Sequence, residues 1–282
     1  NLNVLRALDP PVPVVAHVHE LSVILEHRLA AADLAYALDR SEHFVAVSGA
    51  VRDNLVARHG VDADRVTVVH EFIDEPPVAA ELDRDAAAVR AELGLAPDAP
   101  LVVSCGSTDW RKAPDLFVRM AWEQRRRRPD LDVTYAWVGN TTNGDAELGV
   151  RWEVERLGLA DVVRFVGVRA APRPWFRAAD VFVLPAREDP FPLVCLEAAS
   201  TGTPVVCFDA GGMVEMVGPN DAGAVVTYPD VTAMADAVSS LLDDADRRVA
   251  AGARAEAAVR RDFLTERLAP ALQQVIEDHL PS

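Results

Sequence analysis

The chain has 282 residues, a formal net charge of −16 and a sequence pI near 4.8; half of its residues are hydrophobic and 26% are charged. That balance is globular, excludes disordered and collagen-like chains, and at this length fits about two domains. So acidic a surface repels phosphate backbones and anionic lipid, which leaves nucleic acid out as a partner.

No apolar run reaches membrane-spanning length and no signal-peptide pattern occurs, which points to a soluble cytoplasmic protein. Cys105, Cys195 and Cys207 each sit in an apolar run. Three such thiols fit a reducing compartment better than a disulfide framework, and their spacing matches no zinc pattern.

Residues 1–74 alternate strand and helix. Val12–Val18 reads as a buried strand, and Glu26–Leu38 carries alanine and leucine at helical spacing. His43–Val47 is a second strand, followed by Ser48 as an N-cap, a helix over Val51–Arg58 and Gly60 as its stop. Val66–Val69 is a third strand. Short apolar strands joined by helices imply a parallel sheet.

Residues 75–100 read as an interdomain linker, opened by Glu75-Pro76-Pro77, closed by Pro97-Asp98-Ala99-Pro100, and holding a short helix over Asp85–Leu93. From Leu101 the alternation resumes, with strands predicted at Leu101–Cys105, Val133–Val138, Val162–Val166, Val181–Leu184, Pro204–Phe208 and Ala224–Val226. Six strands with intervening helices make an α/β, doubly wound sheet over residues 101–262. The tail, Val231–Leu280, reads as helical throughout. Its last stretch, 263–282, is expected to pack back toward the N-terminal domain. The run Arg125–Arg128 ends a helix before Pro129 and reads as positive charge at a helix C-terminus.

Ligands of doubly wound sheets sit beyond the carboxyl ends of the strands, where helix N-termini present free N–H groups. Three such ends are rich in chemistry here. The first is Gly106-Ser107-Thr108-Asp109-Trp110-Arg111-Lys112, which brings two cations to a helix start and suits a diphosphate. Lys112 is the only lysine in the chain; every other basic side chain is arginine. A lysine kept here suits a site wanting a compact ammonium on a flexible stem. The second is Pro185 to Glu197, in which Asp189 and Glu197 would face one cleft from different depths. Pro192 pre-sets a helix whose N–H groups at Leu193 and Val194 would be open, and Glu197 could accept a ribose diol; helix-capping acids are the plainer reading. The third, Asp209-Ala210-Gly211-Gly212-Met213-Val214-Glu215, places paired glycines before a helix and leaves N–H groups for an anion.

Together the three ends resemble the retaining glycosyltransferases of family 4, which have the GT-B fold. The resemblance rests on Ala179-Asp180-Val181-Phe182-Val183-Leu184-Pro185-Ala186, on Asp189-Pro190-Phe191-Pro192-Leu193 followed by Glu197-Ala198, and on Gly202-Thr203-Pro204-Val205 and Gly211-Gly212-Met213-Val214-Glu215. It covers about residues 10–265. It implies a UDP- or GDP-sugar donor, no cofactor, and two Rossmann-like sheets, the N-terminal one incomplete in this chain. It also assigns residues. Lys112 holds the donor diphosphate, with Gly106 and Ser107 beside it. Glu197 takes the ribose hydroxyls, and Asp189 lies near the transferred sugar. Backbone N–H groups around Phe191, Pro192, Leu193 and Val194 hold phosphate and sugar. Gly211, Gly212 and Glu215 form a sugar-phosphate loop, the turn Val166-Gly167-Val168 meets the base, and His19 faces the donor sugar from the N-terminal domain.

The chain departs from the family pattern at Ser107, where an arginine is usual and for which Arg111 would stand in. Asp189 stands for a glutamate, Ala113 for the glycine after the lysine, and His70-Glu71-Phe72-Ile73-Asp74 for a frequent asparagine–glycine turn.

The expected reaction is metal-independent transfer with retention, by front-side attack. Three Asp-x-Asp triplets, at Asp62, Asp83 and Asp130, follow no buried strand and are not taken as metal ligands. Two alternatives remain: a nucleotide-sugar-binding subunit without turnover, and a metal hydrolase built on His17-x-His19. The start at Asn1 and the three N-terminal strands read as the donor-binding part of a longer enzyme, expected to bind the nucleotide weakly to moderately but to transfer no sugar by itself. The apolar edge left at Val12–Val18 is then expected to be covered by a missing N-terminal segment or by self-association.

Overall fold

The computed structural model describes residues 5–7, 12–140 and 144–279. Two wholly parallel sheets organise them. The first has three strands in the order β1-β2-β3: β1 Val15–Val18, β2 His43–Ala46 and β3 Val66–Val68. The second has six: β4 Leu101–Cys105, β5 Thr134–Val138, β6 Val163–Gly167, β7 Val181–Leu184, β8 Val205–Phe208 and β9 Gly223–Val226. Their order, β6-β5-β4-β7-β8-β9, reverses direction beside β4, which opens a crevice at the carboxyl ends of β4 and β7. The second sheet's central strands are buried on both faces, so β7 and β8 read as unbroken apolar runs rather than alternating ones, and β4 is interrupted only by the buried Ser104.

The N-terminal helices are α1 Ser22–His27, α2 Ala31–Arg40 and α3 Gly49–His59. The single helix expected over Glu26–Leu38 is therefore two. Ala30 is extended, with ψ 138°, and the chain turns there because Leu25 is buried while α2 buries none of its residues. The start of α1 at Ser22, ahead of the periodic stretch, is set from a distance: the Glu188 carboxylate accepts the Val23 N–H at 2.9 Å.

Helix α4, Ala79–Glu92, is longer than the helix expected at Asp85–Leu93. Its stripe Leu82, Ala86 and Val89 is buried, and Arg90 donates to the Ala178 carbonyl at 2.7 Å. The stretch read as a linker thus packs along the second sheet's α7, Arg173–Ala178. The remaining helices are α5 Pro114–Arg127, α6 Gly144–Arg156, α8 Leu193–Ser200, α9 Val214–Asn220, α10 Val231–Asp243, α11 Ala245–Asp262 and α12 Thr265–Glu277. The tail is not one continuous helix. Asp244 caps α11 through the Arg247 N–H, and Phe263-Leu264 leaves the helix to pair with Ile73.

One hydrophobic core runs from Phe44, Val51 and Leu55 of the first sheet to Leu101, Phe182, Phe191 and Phe263 of the second. A second core, with Phe117, Tyr135 and Trp137, fills the other face of the larger sheet. The Arg125–Arg128 run is neutralised by acids: Arg125 meets Asp161, Arg126 meets Glu123, Arg127 meets Asp236 and Arg128 meets Asp243, at 2.6–2.8 Å. Among the described residues no helix is long and apolar enough to cross a membrane.

Candidate active site

The loop after β4 is tied by an acid that the sequence reading passed over. Asp109 accepts the Ser107 hydroxyl at 2.5 Å and the backbone N–H groups of Arg111 and Lys112 at 2.8 and 3.3 Å. Burial alone would raise its pKa, but these donors outweigh burial and hold it below the ordinary aspartate value. Ser107 is therefore spent on the loop itself. The loop closes on Ala113 in the left-handed region, φ 57° and ψ 53°, just before Pro114 opens α5. That is the backbone for which the family's glycine is suited.

Lys112 runs back along the backbone of Gly106, and its ammonium is hydrogen-bonded to the Asp189 carboxylate, which is buried. The two strand ends expected to share a ligand, after β4 and after β7, are thus joined through the two residues singled out for it. Gly106 is packed from behind by Gly139. A Cβ on Gly139 would stand 2.2 Å from the Gly106 carbonyl oxygen, and its φ is 119°. Only glycine fits, and this residue had not been singled out from sequence.

Beyond Asp189 the chain enters α8 at Pro192 with no side-chain cap. The first-turn N–H groups, at Leu193 and Val194, precede any intrahelical acceptor, so this end carries partial positive charge at the carboxyl edge of the sheet. Leu193 is exposed and Phe191 is buried. The Phe191 ring does not line the crevice; it stacks on His70 at 5.0 Å and Phe263 at 5.6 Å, where the two sheets' cores meet.

The glycine pair does a different job from the one expected. The Gly212 N–H donates to the Asp189 and Pro190 carbonyls at 3.2 and 3.1 Å, so it is not open to an anion. A Cβ on Gly211 would lie 1.9 Å from the Asp189 oxygen, and one on Gly212 would lie 2.7 Å from the Cβ of Ser48. The pair lets the β7 and β8 loops and the N-terminal domain approach one another. Glu215 likewise turns to that domain rather than to a sugar-phosphate loop. It accepts the Gly49 and Ala50 N–H groups at 3.0 and 3.1 Å and lies 2.7 Å from His70 Nε2. Burial opposes its charge, but His70 and the two N–H groups prevail and hold it below the ordinary glutamate value.

Glu197, on α8, is less buried than Asp189 and lines a cleft of about 450 Å³ with Pro172, Arg173, Leu82 and Asp85. Burial pushes its carboxyl up, and Arg173, 3.6 Å away, only partly offsets this. It acts electrostatically on Cys105 at the end of β4, whose thiol burial raises to about 12. Cys195 and Cys207 are buried free thiols, also raised by burial. Val166 and Gly167 end β6, Gly167 has φ 77° and its carbonyl accepts the Gly139 N–H at 2.9 Å, and the Val168 side chain stands in solvent.

Across the crevice, His19 follows β1 and is hydrogen-bonded through Nδ1 to Glu71 at 2.5 Å. The His17 and His19 rings lie side by side, 4.0 Å apart, as a period-two strand requires. Arg111 pairs with no carboxylate among the described residues, although its charge acts on Glu188. The Asp-x-Asp triplets have other duties: Asp62 caps the Asp64 N–H, Asp83 meets Arg177 and Asp130 meets Arg128. Among the described residues no three His, Cys, Asp or Glu side chains gather as a metal-holding group.

Comparison with known proteins places this geometry. A family model described as "Glycosyl transferases group 1" matches residues 99–244, and one described as "Glycosyltransferase Family 4" matches residues 2–75. A D-inositol 3-phosphate glycosyltransferase of Nocardia farcinica is 34% identical over 267 residues, covering 87% of this chain and 57% of that protein. The lipopolysaccharide core biosynthesis mannosyltransferase LpsB of Rhizobium meliloti is 32% identical over 251 residues, covering 86% and 67%. The chain thus spans little more than half the length of the first of these relatives. HepE of Anabaena, solved in complex with UDP, shares the fold with a TM-score of 0.82 over 94% of this chain and 72% of that one, at 21% identity. The chain belongs to glycosyltransferase family 4, with the GT-B fold and a group 1 domain over residues 99–244.

Proposed function

We propose that this chain carries the donor site of an enzyme that transfers a sugar from a UDP- or GDP-sugar to an acceptor, with retention of configuration and without a divalent metal. The observation that carries the reading is the Lys112–Asp189 pair, set beside the uncapped start of α8. A nucleoside diphosphate leaving group carries developing negative charge, which cations and fixed N–H dipoles stabilise. Lys112, Arg111 and the N–H groups of Leu193 and Val194 take that part. Asp189 releases Lys112 to the diphosphate and accepts a hydroxyl of the transferred sugar. Glu197 accepts the ribose diol, and the backbone at Val166–Val168 meets the base. His19 faces the sugar from the other domain. In front-side attack the leaving phosphate oxygen takes the acceptor's proton, so no carboxylate need form a covalent intermediate.

A nucleotide panel followed by thermal shift, with and without EDTA, tests the reading. UDP or GDP at about 100 times its Kd stabilises by about 2.7 kcal/mol. That shift is expected to survive chelation. Loss of it in EDTA, restored by magnesium or manganese, sinks the metal-free reading; no shift with any nucleoside diphosphate sinks the donor site itself. Hydrolysis of the bound donor separates an enzyme from a nucleotide-sugar-binding subunit.

A further inference from the structure

The His70-Glu71 dipeptide stands where the family resemblance has an asparagine–glycine turn, and the structure uses both replacements. His70 meets Glu215 of the facing domain, and Glu71 meets His19 of its own. Glu71 is not among the non-glycine residues with positive φ, so this turn takes a side chain without backbone strain. The Glu71 side chain is 21% exposed and the imidazole 47%, so the carboxylate lies behind a ring that still reaches solvent.

We propose that Glu71 is a positioning residue for His19. Its carboxylate accepts the Nδ1 proton, fixes the imidazole plane and tautomer, and leaves Nε2 as the open nitrogen on the crevice side. The inference rests on the reading of the crevice as a sugar-donor site. When His19 is charged, Nε2–H is a donor to a sugar oxygen; when it is neutral with Nδ1 protonated, Nε2 is an acceptor. The groups facing the ring decide which form prevails. They are Glu71 from the turn after β3, Glu20 next along the chain, and His17 beside it. The Glu71 bond is the largest influence and raises the His19 pKa against burial, with Glu20 acting in the same direction. His17 is pushed the other way, first by its own burial and then by His19. Two imidazoles 4.0 Å apart are thus shifted in opposite directions, the proton being favoured on the ring hydrogen-bonded to Glu71. Donor and acceptor roles at Nε2 then exchange at a higher pH than an unpartnered histidine allows.

Imidazole ¹⁵N NMR titration of the whole chain tests this without substrate, in wild type, Glu71→Gln and Glu71→Gly. Glutamine keeps an acceptor but loses the charge; glycine restores the family's residue and removes both. The His19 midpoint is expected to fall by about one pH unit or more in Glu71→Gln and at least as far in Glu71→Gly. The neutral ring is expected to carry its proton on Nδ1 in wild type and Glu71→Gln only. The same midpoint in wild type and Glu71→Gln, or a neutral wild-type ring protonated on Nε2, overturns the proposal. Those two proteins decide the matter even if the glycine variant does not fold. Adding UDP-glucose and GDP-mannose to the wild-type sample examines the donor reading separately. A His19 signal deaf to both, in a protein whose titration obeys the prediction, removes the donor site and leaves the positioning role.

Discussion

Lys112 drew notice in the sequence as the only lysine among so many arginines, and its structural partner explains what a lysine offers there. The ammonium reaches past Gly106 to a buried carboxylate, with a side chain only 18% exposed. Removing one member of such a pair leaves a buried charge without a partner, which costs far more than the intact pair contributes. Lys112→Met is therefore expected to lower stability by about 2–4 kcal/mol, below the full buried-pair figure because the ammonium is partly solvated. Lys112→Met with Asp189→Asn should regain part of that in denaturant melts while still failing to bind nucleoside diphosphate. Lys112→Arg should not restore binding, because a planar fork cannot take the ammonium's place along the glycine backbone. A full-affinity Lys112→Arg protein counts against the assigned role. Glu197 supports a pH prediction. Burial raises its pKa, so the carboxylate that would accept a ribose diol begins to be lost at a higher pH than the ordinary 4.5. Nucleotide affinity measured by calorimetry is expected to show an acid limb starting above that value, absent in Glu197→Gln. Glu197→Gln should weaken nucleotides more than inorganic diphosphate; equal losses for both point to a structural acid.

The N-terminal helices show how far local signals carry. Ser48 caps the Val51 N–H at 3.2 Å, and Gly60 ends α3 in the left-handed region, both as read from the chain. The same helix start also receives Glu215, distant by 165 and 166 positions, and α1 receives Glu188. Two acids of the donor domain thus cap two helices of the other, a pairing that no window of sequence contains. Glu215→Ala is expected to cost about 1–2 kcal/mol, the scale of a lost N-cap. Its folded pKa lies below the unfolded 4.5, so its contribution is fully present above that pH and fades as pH falls through the folded value. Acid-unfolding curves of wild type and Glu215→Ala should therefore be separate at neutral pH, begin to converge below about pH 4.5 and meet only below the folded pKa. Curves that stay parallel to the acid end contradict the capping role.

At the scale of the molecule, the two sheets do not have separate cores. The same apolar cluster contains Phe44 and Leu55 on one side and Leu196 and Phe263 on the other. Phe263 sits at the junction, against Phe191 and His70, where Leu264 pairs with Ile73 and the Ile73 N–H reaches the Phe263 carbonyl at 3.0 Å. At the far end of α12, His279 stacks on His43 at 4.2 Å, so the last helix lies against the first sheet. A shared core predicts one calorimetric transition. Phe263→Ala is expected to cost about 3–5 kcal/mol and to split that transition in two, because it removes the ring that couples the sheets. A single transition in the variant, merely shifted, denies Phe263 that coupling.

Local chemistry by itself determined the strands of both sheets to within a residue, except that β1 begins at Val15 rather than Val12, together with the parallel pairing, the cap at Ser48, and Lys112, Asp189 and Glu197 as residues on the segments that follow the strand ends. Apolar runs, period and cap residues act over a few positions and are written along the chain. Tertiary structure decided the rest. The break between α1 and α2 does not interrupt the helical period. Within the stretch 75–100, Ala79–Glu92 became a packed helix because its apolar stripe found α7. Gly212 and Glu215 took partners, Ser48, Gly49, Ala50 and His70, that lie on another domain and that no local pattern names. The partner of a carboxylate is set by which backbone N–H or cation the folded chain brings within about 3 Å, and that distance exists only after the two domains have closed on a common core.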